Sequence, residues 1–154
     1  MSDLLELRPF VASDAPAMRR LVLNGLGDHF GTIDETMNPD LDDITASYHN
    51  TGATIVVAER NSEIVGCGVL VRENDQTGRR VRMSVRGDQR GQGLGKRLVR
   101  ELLAAAEASG FEKVTCETTE DWVDAIGLYR ACGFADVGVW DGDMHFTIDL
   151  PVAK

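Results

Sequence analysis

Two hydrophobic periods divide the chain. Leu4 to Arg8 alternates as a short strand would, and Pro9 stops it. Ser13-Asp14-Ala15-Pro16 then reads as a helix start, with Ser13 as cap and Pro16 in the first turn. Met18, Leu21, Val22 and Leu26 give that helix one apolar stripe, and Gly25 and Gly27 are expected to end it. Residues 28–39 read as a loop. Asp40 to His49 reads as a short acidic helix with Leu41, Ile44 and Tyr48 on one face.

Period two takes over in the middle of the chain. Ala53 to Glu59 and Glu63 to Arg72 are strands joined by the hairpin-sized Arg60-Asn61-Ser62. Arg79 to Arg86 alternates Val81, Met83 and Val85 against Arg82, Ser84 and Arg86, which predicts one further strand. The most regular helical pattern follows over 93–109, where Leu94, Leu98, Val99, Leu102, Leu103 and Ala106 share a face and Gly110 caps the end. Lys113 to Thr118 is a strand, Val123 to Cys132 a helix closed by Gly133, and 135–140 and 144–150 a hairpin around Asp141-Gly142-Asp143. Hairpin-linked strands pair antiparallel, whereas 79–86, helix 93–109 and 113–118 form a right-handed βαβ crossover. The expected fold is mixed α/β (α+β): a mostly antiparallel sheet of roughly six or seven strands, one parallel crossover, and about four helices on both faces.

With 154 residues, 43% of them hydrophobic and 27% charged, the chain suits a single domain with its own core. No apolar run approaches the roughly 20 residues of a membrane span. The acidic Met1-Ser2-Asp3-Leu4-Leu5-Glu6 does not read as a targeting peptide. Cys67, Cys116 and Cys132 lack metal spacing and sit in apolar contexts, as buried reduced thiols do. These readings place the protein in the cytoplasm, away from membranes. His29, His49 and His145 are too scattered for a metal set, and no metal is expected.

A net charge of −9 argues against a nucleic-acid partner. The charge is uneven. Residues 28–59 hold seven acids and no Lys or Arg; 72–100 hold nine bases against three acids; 111–154 reverse that balance, with nine acids against three bases. A basic island in an acidic molecule points to a small polyanionic ligand held locally, with acidic walls that favour a cationic second partner.

The island contains Arg90-Gly91-Gln92-Gly93-Leu94-Gly95-Lys96, which joins a strand to the most regular helix. Its glycines allow a tight curl and close approach, and the helix start offers unpaired N–H groups and a positive dipole end. An anion belongs there, with Arg90 and Lys96 adding charge. The dinucleotide fingerprint fails because Lys96 stands where its third glycine would be. A Walker loop fails at Arg90 and Arg97.

Arg90-x-x-Gly93-x-Gly95 resembles the phosphate-binding signature of the Gcn5-related N-acetyltransferases. Ala125-x-x-Leu128-Tyr129-x-x-x-Gly133-Phe134 is similar to the second signature of that family, and the element order agrees over about residues 3–150. The resemblance implies acetyl-CoA as acyl donor. The strand backbone at Met83, Ser84 and Val85 would pair with the pantetheine arm. The amides of Gly91, Gln92, Gly93, Leu94, Gly95 and Lys96 would hold the pyrophosphate. It also implies Tyr129 as the acid that protonates the departing thiolate. Family members that acetylate ribosomal-protein N-termini carry a base glutamate twelve residues before that tyrosine, which is Glu117 here. One departure stands out: Trp122 occupies the position of an asparagine that commonly bonds the pantetheine arm. An indole donates but cannot accept.

The implied chemistry is direct transfer of an acetyl group to a primary amine of a small molecule or peptide in a ternary complex. The amine must be neutral to attack, so a carboxylate that relays its proton helps. Glu117 is the candidate, with Glu59 in reserve. No nucleophilic relay is needed, so the cysteines have no role. His145, in the last strand, and the region of His29, Phe30, Glu35 and Tyr48 would border the acceptor. The alternative is a non-catalytic acyl-CoA-binding module that keeps the cradle without a working acid and base. Homodimers are common in the family, but no residue in the sequence specifies one.

Overall fold

The computed structural model describes residues 4–30 and 38–152, without the side chains of 28–30. Strand β1 (Leu5–Pro9) leads into helix α1 (Ala15–Phe30), and the short α2 (Ile44–Ser47) precedes the hairpin β2 (Thr54–Arg60) and β3 (Glu63–Arg72). Next come β4 (Thr77–Arg80), β5 (Ser84–Val85), α3 (Leu94–Ala108), β6 (Lys113–Thr119), α4 (Val123–Ala131), β7 (Ala135–Trp140) and β8 (Asp143–Asp149).

Among the described residues eight strands form one sheet in the order β1-β2-β3-β4-β6-β8-β7, with β5 paired to β3 off that path. All pairs are antiparallel except β4 with β6, the parallel crossover that α3 spans. Helices cover both faces, as the element order predicts. On one face α3 buries Leu94, Leu98, Val99, Leu102, Leu103 and Ala106 in a core shared with Val65, Val114, Cys116, Tyr129 and Phe146. On the other, Met18, Leu21 and Val22 of α1 and Ile44 of α2 pack on Val57, Cys67 and Val69.

Four expectations are corrected. The predicted strand 79–86 is two strands, which raises the count to eight. Its first part pairs with both β3 and β6, while Ser84 and Val85 return to β3 alone, opposite Gly66 and Cys67. Pairing to β6 stops after Arg79, and the ladder to β3 slips by one residue between Arg80 and Ser84, so Val81 packs with the α1 cluster while Met83 and Val85 pack with the α3 cluster. Second, α1 does not end at Gly25 or Gly27 but runs on to Phe30. Gly25 answers a packing need: a Cβ there would stand 2.6 Å from Ser84 Oγ, so the glycine lets α1 lie directly on β5. Third, a 3-10 turn over Ala12–Asp14 precedes α1 in place of a Ser13 cap, and the Asp14 carboxylate accepts the Val11 N–H at 2.9 Å. Fourth, the predicted helix 40–49 is broken into the 3-10 turn Pro39–Leu41, the four residues of α2 and a second turn at His49–Thr51. Most of the predicted loop 28–39 lies outside the described residues.

The cysteines are free thiols, as expected, with Cys67 and Cys116 buried and Cys132 partly so. Burial pushes the Cys67 thiol up to about 12, which makes it inert at neutral pH. Among the described residues no helix is long and apolar enough to cross a membrane.

Candidate active site

The change of partner at residues 81–83 builds the site. β4 pairs with β6 only as far as Arg79 opposite Thr115, after which the chain swings away and the two strands diverge. A wedge opens with Arg80 at its apex and Glu117 to Thr119 along one side. It is part of a cleft of about 1170 Å³ that runs from the Gly91–Lys96 loop, past β5, to Glu117, Trp122 and Tyr129.

At one end stands the cradle. Gly91 and Gly93 have φ of 79° and 83°, the left-handed region that side chains rarely adopt, and no protein atom lies within 4 Å of where a Cβ would stand on either. That open space faces the start of α3, whose first N–H groups have no partner within the helix. The residues therefore fit an anionic group such as a pyrophosphate. Gly95 has another task, since a Cβ there would press to 3.2 Å on Leu128 of α4. Arg90 is also engaged in the protein: its Nε donates to the Val85 carbonyl at 3.0 Å and ties the cradle to β5. Substituting Gly93 by Val strains the left-handed backbone and places an isopropyl group where the anion would lie. The expected result is a loss of acetyl-CoA affinity of about tenfold to a hundredfold, read by calorimetric titration of the folded variant.

Glu117 and Tyr129 approach the wedge from opposite faces of the sheet. Cys116 lies in the α3 and α4 core beside Tyr129, so its neighbour Glu117 points to the α1 face by strand alternation. The Glu117 carboxylate pairs with Arg79, whose Nε stands 3.3 Å from Oε2. Tyr129 packs against Phe134 and Phe146 with ring centroids 5.6 Å apart in each pair. Burial pushes its phenol up to about 12, against the opposing pull of the Arg80 charge. It therefore stays protonated, and able to donate, throughout the neutral range.

On the acceptor side, Arg82 grips Asp40 through two bonds of 2.9 and 2.7 Å, and the Tyr48 hydroxyl donates to the same carboxylate at 2.6 Å. Burial disfavours ionisation of Asp40, but Arg82 and Tyr48 together outweigh it and hold the carboxyl below its ordinary value. Burial and Asp40 push Tyr48 up to about 12. Trp122 lines the cleft at the start of α4, where its backbone N–H bonds the Thr119 carbonyl at 3.0 Å.

The reserve base is displaced. Glu59 lines a separate groove of about 860 Å³ and its carboxylate pairs with Arg8 at 3.2 Å, so it does not reach the wedge. His145 sits opposite Glu117 on β8 with its ring stacked 3.7 Å from Trp140. The side chains of His29 and Phe30, and Glu35 altogether, lie outside the described residues; Tyr48 does line the cleft. Reading the sequence missed the roles of Arg79, Arg80 and Arg82. The basic island looks like one anion site, yet its charges at Arg79, Arg82 and Arg86 are matched within the fold. Arg79 goes to Glu117, Arg82 to Asp40, and Arg86 to Glu63 and Asp88. A partly exposed acid distant in sequence, such as Asp40 or Glu117, leaves no local mark on its partner.

The sheet thus splits beside a glycine cradle, with a phenol and a carboxylate on opposite faces of the split. Residues 23–134 match the model of the acetyltransferase (GNAT) family, and the chain belongs to that family. Human N-acetyltransferase 8B is 33% identical over 138 residues, covering 79% of this chain and 61% of that protein. N-acetyltransferase family 8 member 2 of Rattus norvegicus is 34% identical over 130 residues, covering 75% and 58%. The chain thus spans about three-fifths of the length of these curated relatives. A GNAT-family acetyltransferase of Staphylococcus aureus Mu50 superposes with a TM-score of 0.84 at 21% identity, over 96% of this chain and 99% of that one. The PaiA N-acetyltransferase of Thermoplasma acidophilum, solved with coenzyme A, gives 0.83 at 13% identity, over 97% and 99%.

Proposed function

We propose that this chain, acting as a single domain, is an acetyl-CoA-dependent N-acetyltransferase that works by direct transfer to a primary amine of a small molecule or peptide. The observation that carries this is the pair Glu117 and Tyr129, set on opposite faces of the sheet at the wedge and in one cleft with the cradle. The names of the N-acetyltransferase relatives and the coenzyme A complex of the Thermoplasma protein support the choice of donor. When bound, acetyl-CoA supplies an activated thioester whose carbonyl carbon the amine attacks, forming C–N as C–S breaks.

The protein's own residues do the rest. The amides of Gly91 to Lys96 hold the pyrophosphate, and the backbone at Met83 to Val85, where Ser84 and Val85 pair with β3 on one side, takes the pantetheine arm on the other. Glu117 takes the amine proton on the α1 face, directly or through water, while Arg79 holds its carboxylate in place. Tyr129 gives its hydroxyl proton to the departing sulfur on the α4 face. A cationic amine is the favoured acceptor, because on the Glu117 face of the cleft the Arg79 and Arg82 charges are each met by a carboxylate and Asp143 adds another, whereas Arg80 lies on the Tyr129 face and Arg90 and Lys96 at the cradle. The three free thiols suit a reducing compartment, the cytoplasm.

The rival reading, acyl-CoA binding without turnover, rests on one observation: Arg79 already engages the carboxylate that would act as base. Initial rates with both substrates varied address the mechanism. Intersecting double-reciprocal lines are expected for a ternary complex. Parallel lines would show a covalent acetyl-enzyme and contradict direct transfer.

A further inference from the structure

Arg80 is an expensive residue for its place. Its Nη1 donates to the Val81 carbonyl and its Nη2 to the Glu117 carbonyl, each at 2.9 Å, so the side chain bridges the apex where β4 and β6 part. Its Nε is enclosed and has no acceptor. Among the described residues no carboxylate pairs with it, unlike Arg79, Arg82 and Arg86 around it. A half-buried guanidinium without a counterion costs stability, and an apolar side chain would avoid that cost. What the guanidinium does face is Tyr129: its Cζ stands 5.0 Å from the ring centroid.

We propose that Arg80 is a positioning residue for proton donation by Tyr129, bonded across the wedge apex so that a fixed positive charge lies against the phenol ring. The inference rests on the reading of Tyr129 as the acid. Three groups bear on that phenol. Arg80 on β4 favours its ionised form, whereas Cys116 on β6 and Cys132 just past the end of α4 oppose it. Burial dominates and makes the phenol a reluctant acid. Arg80 supplies the opposing pull, which brings the proton closer to the range in which transfer is efficient. The same charge favours negative charge developing beside the hydroxyl in a water-poor site.

Two substitutions separate charge from scaffolding. Arg80→Gln keeps amide donors for the two carbonyls but removes the charge; Arg80→Lys keeps the charge with a different donor set. The direct readout is the phenol titration of the ligand-free protein. The chain has 2 tyrosines, so a Tyr48→Phe background leaves Tyr129 alone, and fluorotyrosine incorporation brings its titration into an accessible range. Arg80→Gln should raise that titration by about one unit, a tenfold change in the ionisation constant, while Arg80→Lys moves it much less. Turnover, measured with Tyr48 intact, should fall about tenfold or more in Arg80→Gln and remain closer to normal in Arg80→Lys. A phenol titration unmoved by Arg80→Gln, in a variant that melts as a folded protein, would overturn the proposal and leave Arg80 as a pin for the wedge. An unchanged rate in Tyr129→Phe would overturn the acid reading and this inference with it. A slowed Tyr129→Phe beside an unmoved titration in Arg80→Gln would sink the inference alone.

Discussion

Glu117→Gln is expected to slow turnover at neutral pH by about a hundredfold to ten-thousandfold while leaving acetyl-CoA affinity unchanged. An amine with an ordinary pKa near 10.4 must shed a proton before it attacks, at a cost of about 4–5 kcal/mol at pH 7. The cleft supplies a carboxylate for that proton on the α1 face, and glutamine keeps its shape without its basicity. The pairing with Arg79 makes a sharper test possible. If Glu117 only anchored Arg79, then Arg79→Gln and Glu117→Gln would cost equally, since either breaks the same half-exposed ion pair. Such pairs are worth about 0–1 kcal/mol to the fold. A base predicts a far larger loss from Glu117→Gln than from Arg79→Gln. Initial rates at saturating amine for both variants decide it.

Tyr129→Phe is the second large effect, with kcat expected to fall about a hundredfold or more and acetyl-CoA binding retained. The substitution keeps the ring contacts to Phe134 and Phe146, so the fold is spared and only the hydroxyl is lost. The pH dependence follows from the direction of the shift. A phenol pushed up to about 12 remains protonated below that value, so Tyr129 introduces no loss of activity between neutrality and pH 10. Activity in that range should rise with deprotonation of the amine. A fall near pH 8 that disappears in Tyr129→Phe would assign Tyr129 a lower pKa than its burial allows. Stopped-time assays across pH, with stability checked at each point, make the comparison.

The periodicity of α3 could be read because all six of its apolar positions serve one task, burial against one sheet face. The cradle was legible for a similar reason: a positive φ at Gly91 and Gly93 confines the choice of residue, and the confinement appears as a motif. Residues 79–86 show the opposite case. The apolar alternation of Val81, Met83 and Val85 reads as one strand face, although Val81 packs on the α1 side and Met83 and Val85 on the α3 side, so the sequence carries no trace of the point where pairing to β6 stops. That point opens the wedge between Arg80 and Glu117. Gly25 was misread because a helix stop and a close approach to Ser84 call for the same missing Cβ. Glu59 and Glu117 both end strands in an acidic neighbourhood, and only the tertiary pairing to Arg8 removes the first from contention. Arg80 was illegible altogether, since a charged residue in a strand ordinarily faces water. Here it faces a phenol ring.

Acetyl transfer from acetyl-CoA to an amine is measured as CoA release with polyamines, amino acids and their amides, aminoglycosides, arylalkylamines and short peptides as acceptors. Turnover confined to one class, with a product heavier by one acetyl group on nitrogen, is the predicted result, and a cationic class is favoured. Acetyl-CoA binding without release against any acceptor would support the non-catalytic module, and failure to bind acetyl-CoA would contradict the reading of the cradle itself.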